Sequence, residues 1–179
     1  VDDAAEESPE SRDRAAALSL LERALAFEEV LQMHMPTVVQ LLESNTNSDV
    51  IEAMNAVVAA HTFELQGARP SRILTLVWSK EDSVKDAALK AVEAVWLRSP
   101  VDSGVPSALV HSIYTARALL QLVDSASLAE LTSLEVVVGE WQAQKRLPSS
   151  LVSVLWEVVQ GRRPELVAAA ERRAAVALL

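Results

Sequence analysis

The residue types able to do chemistry in this chain are few, and most are basic. One group comprises Arg69, Arg72, Lys80, Lys85, Lys90 and Arg98. A second comprises Lys145, Arg146, Arg162, Arg163, Arg172 and Arg173. Within these groups Arg69, Lys80, Lys145, Arg146, Arg162 and Arg163 sit at or beside expected turns. Turns of successive helical units line up along one edge of a stack, so these six are the candidate contacts for a nucleic-acid backbone or a protein partner. The alternative is ordinary solvated charge beside nearby Asp and Glu.

Other chemistry finds little support. The histidines are His34, His61 and His111, and no pair has the spacing of two metal ligands on one helix face. There is no Cys to complete a metal site or form a disulfide. No Gly-rich phosphate loop is present, and nothing positions a Ser-His-Asp set. We therefore expect no catalytic residue, no metal and no cofactor. His61 lies on the apolar stripe of Val50, Ala53, Met54, Val57 and Val58, and reads as a packing or groove histidine. Trp78, Trp96, Trp141 and Trp156 lie near helix ends or on stripes. They are expected to fill space between units, or, if exposed, to anchor a partner segment.

The elements that carry these residues repeat. Displacing the sequence by about 34 residues lays 36–60 on 70–94. Pro36 then meets Pro70, Val39 meets Ile73, Leu42 meets Leu76, Val50 meets Val84, Ala53 meets Ala87 and Val58 meets Val92. Each unit reads as a proline-started short helix, a polar break and a longer helix. The breaks are 43–48 and 79–82. In the second unit Val84, Ala87, Ala88, Ala91, Val92, Val95 and Trp96 form one stripe at helical period. Lys85, Asp86, Lys90 and Glu93 face away, and Ser83 with Asp86 is the expected capping box. Pro106 is expected to begin a third pair, with a turn at Asp124-Ser125 and a cap at Thr132 with Glu135. Pro148 is expected to begin a fourth, broken at Gly161 and resumed at Pro164. Residues 15–34 read as the second helix of a preceding unit.

Composition agrees. Half of the 179 residues are hydrophobic, aromatics are 4% and there are four glycines, which suits packed helices better than sheets. The expected fold is an all-α solenoid of about four to five stacked HEAT-like helix pairs over 15–179, since a lone pair cannot bury its stripe. Residues 1–14, with six acidic side chains against Arg12 and Arg14, read as a disordered acidic lead-in. The apolar pattern runs to Leu179 uncapped, as in a piece of a longer chain. No apolar run approaches the roughly 20 residues of a membrane-spanning helix.

Three ordered blocks carry a family resemblance. Pro36-Thr37-Val38-Val39-Gln40-Leu41-Leu42-Glu43-Ser44 is followed by Ser48-Asp49-Val50-Ile51-Glu52-Ala53. Next come Leu76-Val77-Trp78-Ser79-Lys80-Glu81 and Val84-Lys85-Asp86-Ala87. Last are Leu131-Thr132-Ser133-Leu134-Glu135, Leu155-Trp156-Glu157 and Arg172-Arg173-Ala174-Ala175. Over 36–179 the chain resembles condensin complex subunit 1, the non-SMC HEAT-repeat subunit of condensin I. The resemblance implies a non-catalytic scaffold acting in mitotic chromosome condensation in the nucleus and on chromosomes. The implied partners are the kleisin subunit, the SMC subunits and duplex DNA bound without sequence preference, with no membrane. Another HEAT-repeat adaptor is the alternative: the subunit of the second condensin complex, a nuclear-transport receptor or a coat protein.

Overall fold

A computed structural model describes residues 9–97 and 108–162. Among these residues every regular element is helical: α1 (Pro9–Gln40), α2 (Asn47–Thr62), α3 (Asp82–Trp96), α4 (Ala108–Ser125), α5 (Leu128–Ala143) and α6 (Leu151–Val159). Two 3-10 segments, Leu41–Glu43 and Pro70–Trp78, complete the described elements. The fold is an all-α solenoid. None of its described helices is long and apolar enough to cross a membrane.

The repeat has a physical counterpart in the stack. Val50 and Val84 are both buried, as are Met54 and Ala88, and Val57 and Ala91. The same face of α2 and of α3 therefore turns inward. The Asn47 side-chain amide donates to the Glu81 carboxylate at 3.2 Å, joining one polar break to the equivalent break a repeat later. α3 packs on α2 along one side and on Pro70–Trp78 along the other. Small side chains at Ala88 and Ala91 let those backbones approach.

Several local expectations are corrected. Pro36 starts no helix, because α1 runs through it into the Leu41–Glu43 turn. Proline removes one backbone donor and normally breaks a helix. Here Met35 and Leu42, on either side of Pro36, are both buried in the core, so the chain stays helical while the exposed ring faces solvent. Pro9–Arg14, placed in the lead-in by sequence, belong to this helix. Pro70 does open its element, but in 3-10 form, with Arg72 N–H donating to Arg69 C=O at 3.1 Å. Pro106 and the segment from Pro164 lie outside the described residues.

The caps differ too. α3 starts at Asp82 after Glu81, with no side-chain cap, so Ser83 and Asp86 lie within the helix and form no capping box. α5 starts at Leu128, four residues before Thr132, which instead donates to Leu128 C=O at 2.8 Å. The earlier Ser-x-x-Glu pattern, Ser127 with Glu130, makes the capping box. Three helices end in the two-bond Schellman arrangement. Gly161 (φ 71) takes the left-handed position after α6, with Gly161 N–H to Val158 C=O and Arg162 N–H to Glu157 C=O, both 2.9 Å. Glu64 (φ 57) and Lys145 (φ 56) take it after α2 and α5, where sequence offered no glycine to mark the stop.

Beyond α3 the stack departs from a simple row of pairs. The chief packing partner of α5 is the Pro70–Trp78 segment, and that of α4 is α6. The Trp78 indole N–H donates to the Ser133 hydroxyl at 3.0 Å where α5 meets the 3-10 segment.

Two substitutions test this packing by denaturant unfolding. Ala88→Leu overpacks the core around α3 and should destabilise by about 1–3 kcal/mol. Lys145→Gly relieves a left-handed residue, and should stabilise by up to about 1 kcal/mol.

Candidate functional site

A recess of about 720 Å³ lies where five element ends meet. His61 comes from the last turn of α2, and Arg69, Ser71, Arg72 and Thr75 from the start of the 3-10 segment. Val95 and Trp96 close it from the end of α3, Gln121 and Ser125 from the end of α4, and Ser127 and Glu130 from the start of α5. Pro70, Leu122 and Ala129 add apolar wall.

Glu130 is the structural pin of this cleft. It is 8% exposed, and one carboxylate oxygen accepts from the Ser127 N–H and from the Ser127 hydroxyl, each at 2.7 Å. Burial pushes its carboxyl up. The Ser71 hydroxyl, the Ser127 N–H and hydroxyl, and the Arg72 charge outweigh that and hold it below the usual carboxylate range. A carboxylate at the first turn of a helix also meets the positive end of the helix dipole. Arg72 makes an exposed ion pair with Glu43. Sequence named Arg72 only as part of a basic group, and it left the Ser127/Glu130 pair unremarked. The Ser-x-x-Glu spacing was the signal that could have found it.

Of the six candidate contacts five lie among the described residues, and Arg69 and Lys80 stand apart. Arg69 lines the cleft, beside the end of α3. Lys80 lies beyond the other end of the Pro70–Trp78 segment. Nine residues of 3-10 helix, at about 2 Å each, separate the two by roughly 18 Å. Arg146 pairs with Glu93 and sits in a smaller recess with Asp86, Glu140, Trp141 and Gln144. Lys145 is exposed beside it, and Arg162 is exposed after α6. Arg163 lies outside the described residues.

The histidines and tryptophans divide by environment. His61 is an exposed groove residue rather than a packed one. His111 Nε2 lies 2.8 Å from Leu97 C=O at the end of α3. Trp96 and Trp141 fill the interior as expected, whereas Trp78 and Trp156 are 60% and 51% exposed. Among the described residues no group of three or more His, Asp and Glu is placed to hold a metal ion.

α1 presents a different surface. Leu18, Leu20, Leu21, Leu25, Phe27, Val30 and Met33 are all exposed. Ala17, Leu20, Ala24 and Leu31 lie at helical spacing ahead of the buried Met35, so they extend the inward face of α1 beyond the core.

No family model matches the chain. Curated relatives do. The chain is 33% identical over 162 residues to condensin complex subunit 1 of Xenopus laevis, covering 87% of this chain and 11% of that protein. It is 28% identical over 145 residues to the condensin-1 complex subunit CAP-D2 of Arabidopsis thaliana, covering 79% and 9%. It is 25% identical over 163 residues to condensin complex subunit 1 of Schizosaccharomyces pombe, covering 87% and 14%. The chain thus spans about a tenth of the length of the curated relatives it matches.

Glu130→Gln keeps an acceptor for Ser127 but removes the negative charge at the helix start, and should lower stability at neutral pH by about 0.3–1 kcal/mol. A carboxyl held low in the folded state stabilises above its unfolded pKa, and that contribution fades as pH falls through the folded value. The gap between wild type and variant in thermal melts should therefore be full at neutral pH and narrow on the acid side of the usual carboxylate range. A gap that stays constant into acid would contradict the assignment.

Proposed function

We propose that this chain, homologous over most of its length to condensin complex subunit 1, is a length of non-catalytic helical scaffold in a condensin subunit that acts in chromosome condensation. The observation that carries the reading is the sequence relationship: relatives from plants, yeasts and vertebrates match 75–87% of the chain. In this reading it holds the kleisin subunit and approaches the SMC subunits, in the nucleus and on chromosomes. Catalysis belongs to those partners. The scaffold bends as a quasi-one-dimensional stack whose units touch mainly their neighbours.

The same reading treats residues 15–179 as a segment of a longer solenoid. The exposed apolar side chains of α1 support this, since those that continue the inward face of Met35 lack a packing partner among the described residues. Duplex DNA, bound without sequence preference, is the further proposed partner. The candidates to hold it are Lys80, Lys145, Arg146, Arg162 and Arg163, with Arg69 set apart in the cleft. Arg146 is the weakest of these, since Glu93 already neutralises it.

The deciding experiment is co-purification with the kleisin subunit of the same organism, using both this chain and its full-length parent. Retention of both places a kleisin-binding site in this chain. Failure of both to bind removes the condensin reading. For DNA, replacing Arg162 and Arg163 by Glu should weaken duplex binding equally across sequences and lower the salt slope by about 1 for each phosphate no longer neutralised. An unchanged affinity removes those two residues from the interface.

A further inference from the structure

The cleft over Glu130 has a composition that a passive spacer does not need. Its two cations, Arg69 and Arg72, come from adjacent turns of the 3-10 segment, in a chain of net charge −9. Its lining carboxylate, Glu130, is committed to the start of α5 and faces the Ser127 donors. Arg69 is exposed and makes no ion pair among the described residues. Arg72 is held by Glu43, but that pair is solvent-exposed, and such pairs contribute only about 0–1 kcal/mol. Pro70, Trp96, Leu122 and Ala129 supply apolar wall beside the cations.

We infer that this cleft binds an extended peptide segment of a protein partner carrying acidic side chains next to an apolar one. Its volume of about 720 Å³ lies within the range of ligand recesses, about 300–1,000 Å³. Guanidinium groups offer several donors in a fixed fork that matches a carboxylate. The ligand carboxylates meet Arg69 and displace Glu43 from Arg72, while the apolar side chain lies against Trp96 and Leu122. Glu43 is thus a built-in competitor that mimics the ligand. A duplex presents its phosphates on a broad convex surface and suits an open basic edge. A recess partly walled by carbon suits a single extended chain. The inference does not depend on the condensin assignment, and a failed kleisin co-purification leaves it standing.

Fluorescence anisotropy tests it on the full chain. The probe is a fluorescein-labelled hexapeptide alternating acidic residues with leucine, and its control replaces every acid by the amide. We expect the acidic peptide to bind about tenfold tighter than the control, the fold-change equivalent to 1.4 kcal/mol. Arg69→Glu should abolish that preference without changing the circular-dichroism melt, because Arg69 makes no ion pair that the fold relies on. Glu43→Gln frees Arg72 and should tighten binding by about two- to fivefold, within the 0–1 kcal/mol scale of the pair it breaks. Equal binding of the acidic and amide peptides would overturn the proposal. So would an Arg69→Glu variant that retains the preference, or a Glu43→Gln variant that binds no better. A short DNA duplex that displaces the peptide from the wild type at equal concentration would reassign the cleft to nucleic acid.

Discussion

The structure depends on α3 being packed from two sides at once. One side lies on α2 and the other on the Pro70–Trp78 segment, so the stripe of Val84, Ala88, Ala91 and Val92 is enclosed. Alanine at two of these four positions sets how near the neighbours come. A close-packed interior gives up dispersion energy if the gap opens and suffers strain if it closes. The position of the 3-10 segment is therefore fixed by α3. That segment in turn seats α5 through Trp78 and Ser133. The cleft inherits its shape from this packing, because its walls are the ends of the elements that meet around α3.

What could be read from sequence follows from the range of each interaction. Helix faces could be read, since burial repeats with the helical period and the 34-residue offset aligns one unit on the next. Val50 and Val84 are buried together as the pattern implied, whereas Ala87 and Val58 are only partly buried opposite the buried Ala53 and Val92. Helix ends could not be read in the same way. Pro36 is a strong local breaker, but the buried side chains on either side of it lie in one core. At Thr132 and Glu135 the pattern was sound, and an equivalent pattern at Ser127 and Glu130 came first in the chain. Glu64 and Lys145 adopt left-handed conformations that a residue type other than glycine rarely advertises.

The candidate site was legible only in pieces. Arg69 and His61 were each picked out, one as a turn cation and one as a groove histidine, but nothing in their spacing says that they share a recess. Their proximity is a product of stacking, which brings the end of α2 to the start of the next element. The basic edge illustrates the converse. Turns look equivalent along a sequence, yet Arg69 and Lys80 lie at opposite ends of one short helix. Charge at a turn is thus divided between two ends of the stack, and whether neighbouring acids neutralise it is again a matter of tertiary placement. Arg146 and Glu93 are 53 residues apart in sequence and adjacent in space.

Glu130 shows why fold and recess cannot be separated here. Its carboxylate satisfies the Ser127 donors at the start of α5, which fixes where that helix begins. The same group, with Ser71 and Arg72 acting on it, ties α5 to the 3-10 segment. Without it, Trp78 and Ser133 would be left as the polar link between these two walls, and the Ser127 N–H would lose its side-chain acceptor. The exposed Arg72–Glu43 pair contributes only about 0–1 kcal/mol. The recess therefore contains one ionic group that must stay and one ion pair that exchanges at little cost. That asymmetry leaves Arg72 able to change partners while the wall behind it holds.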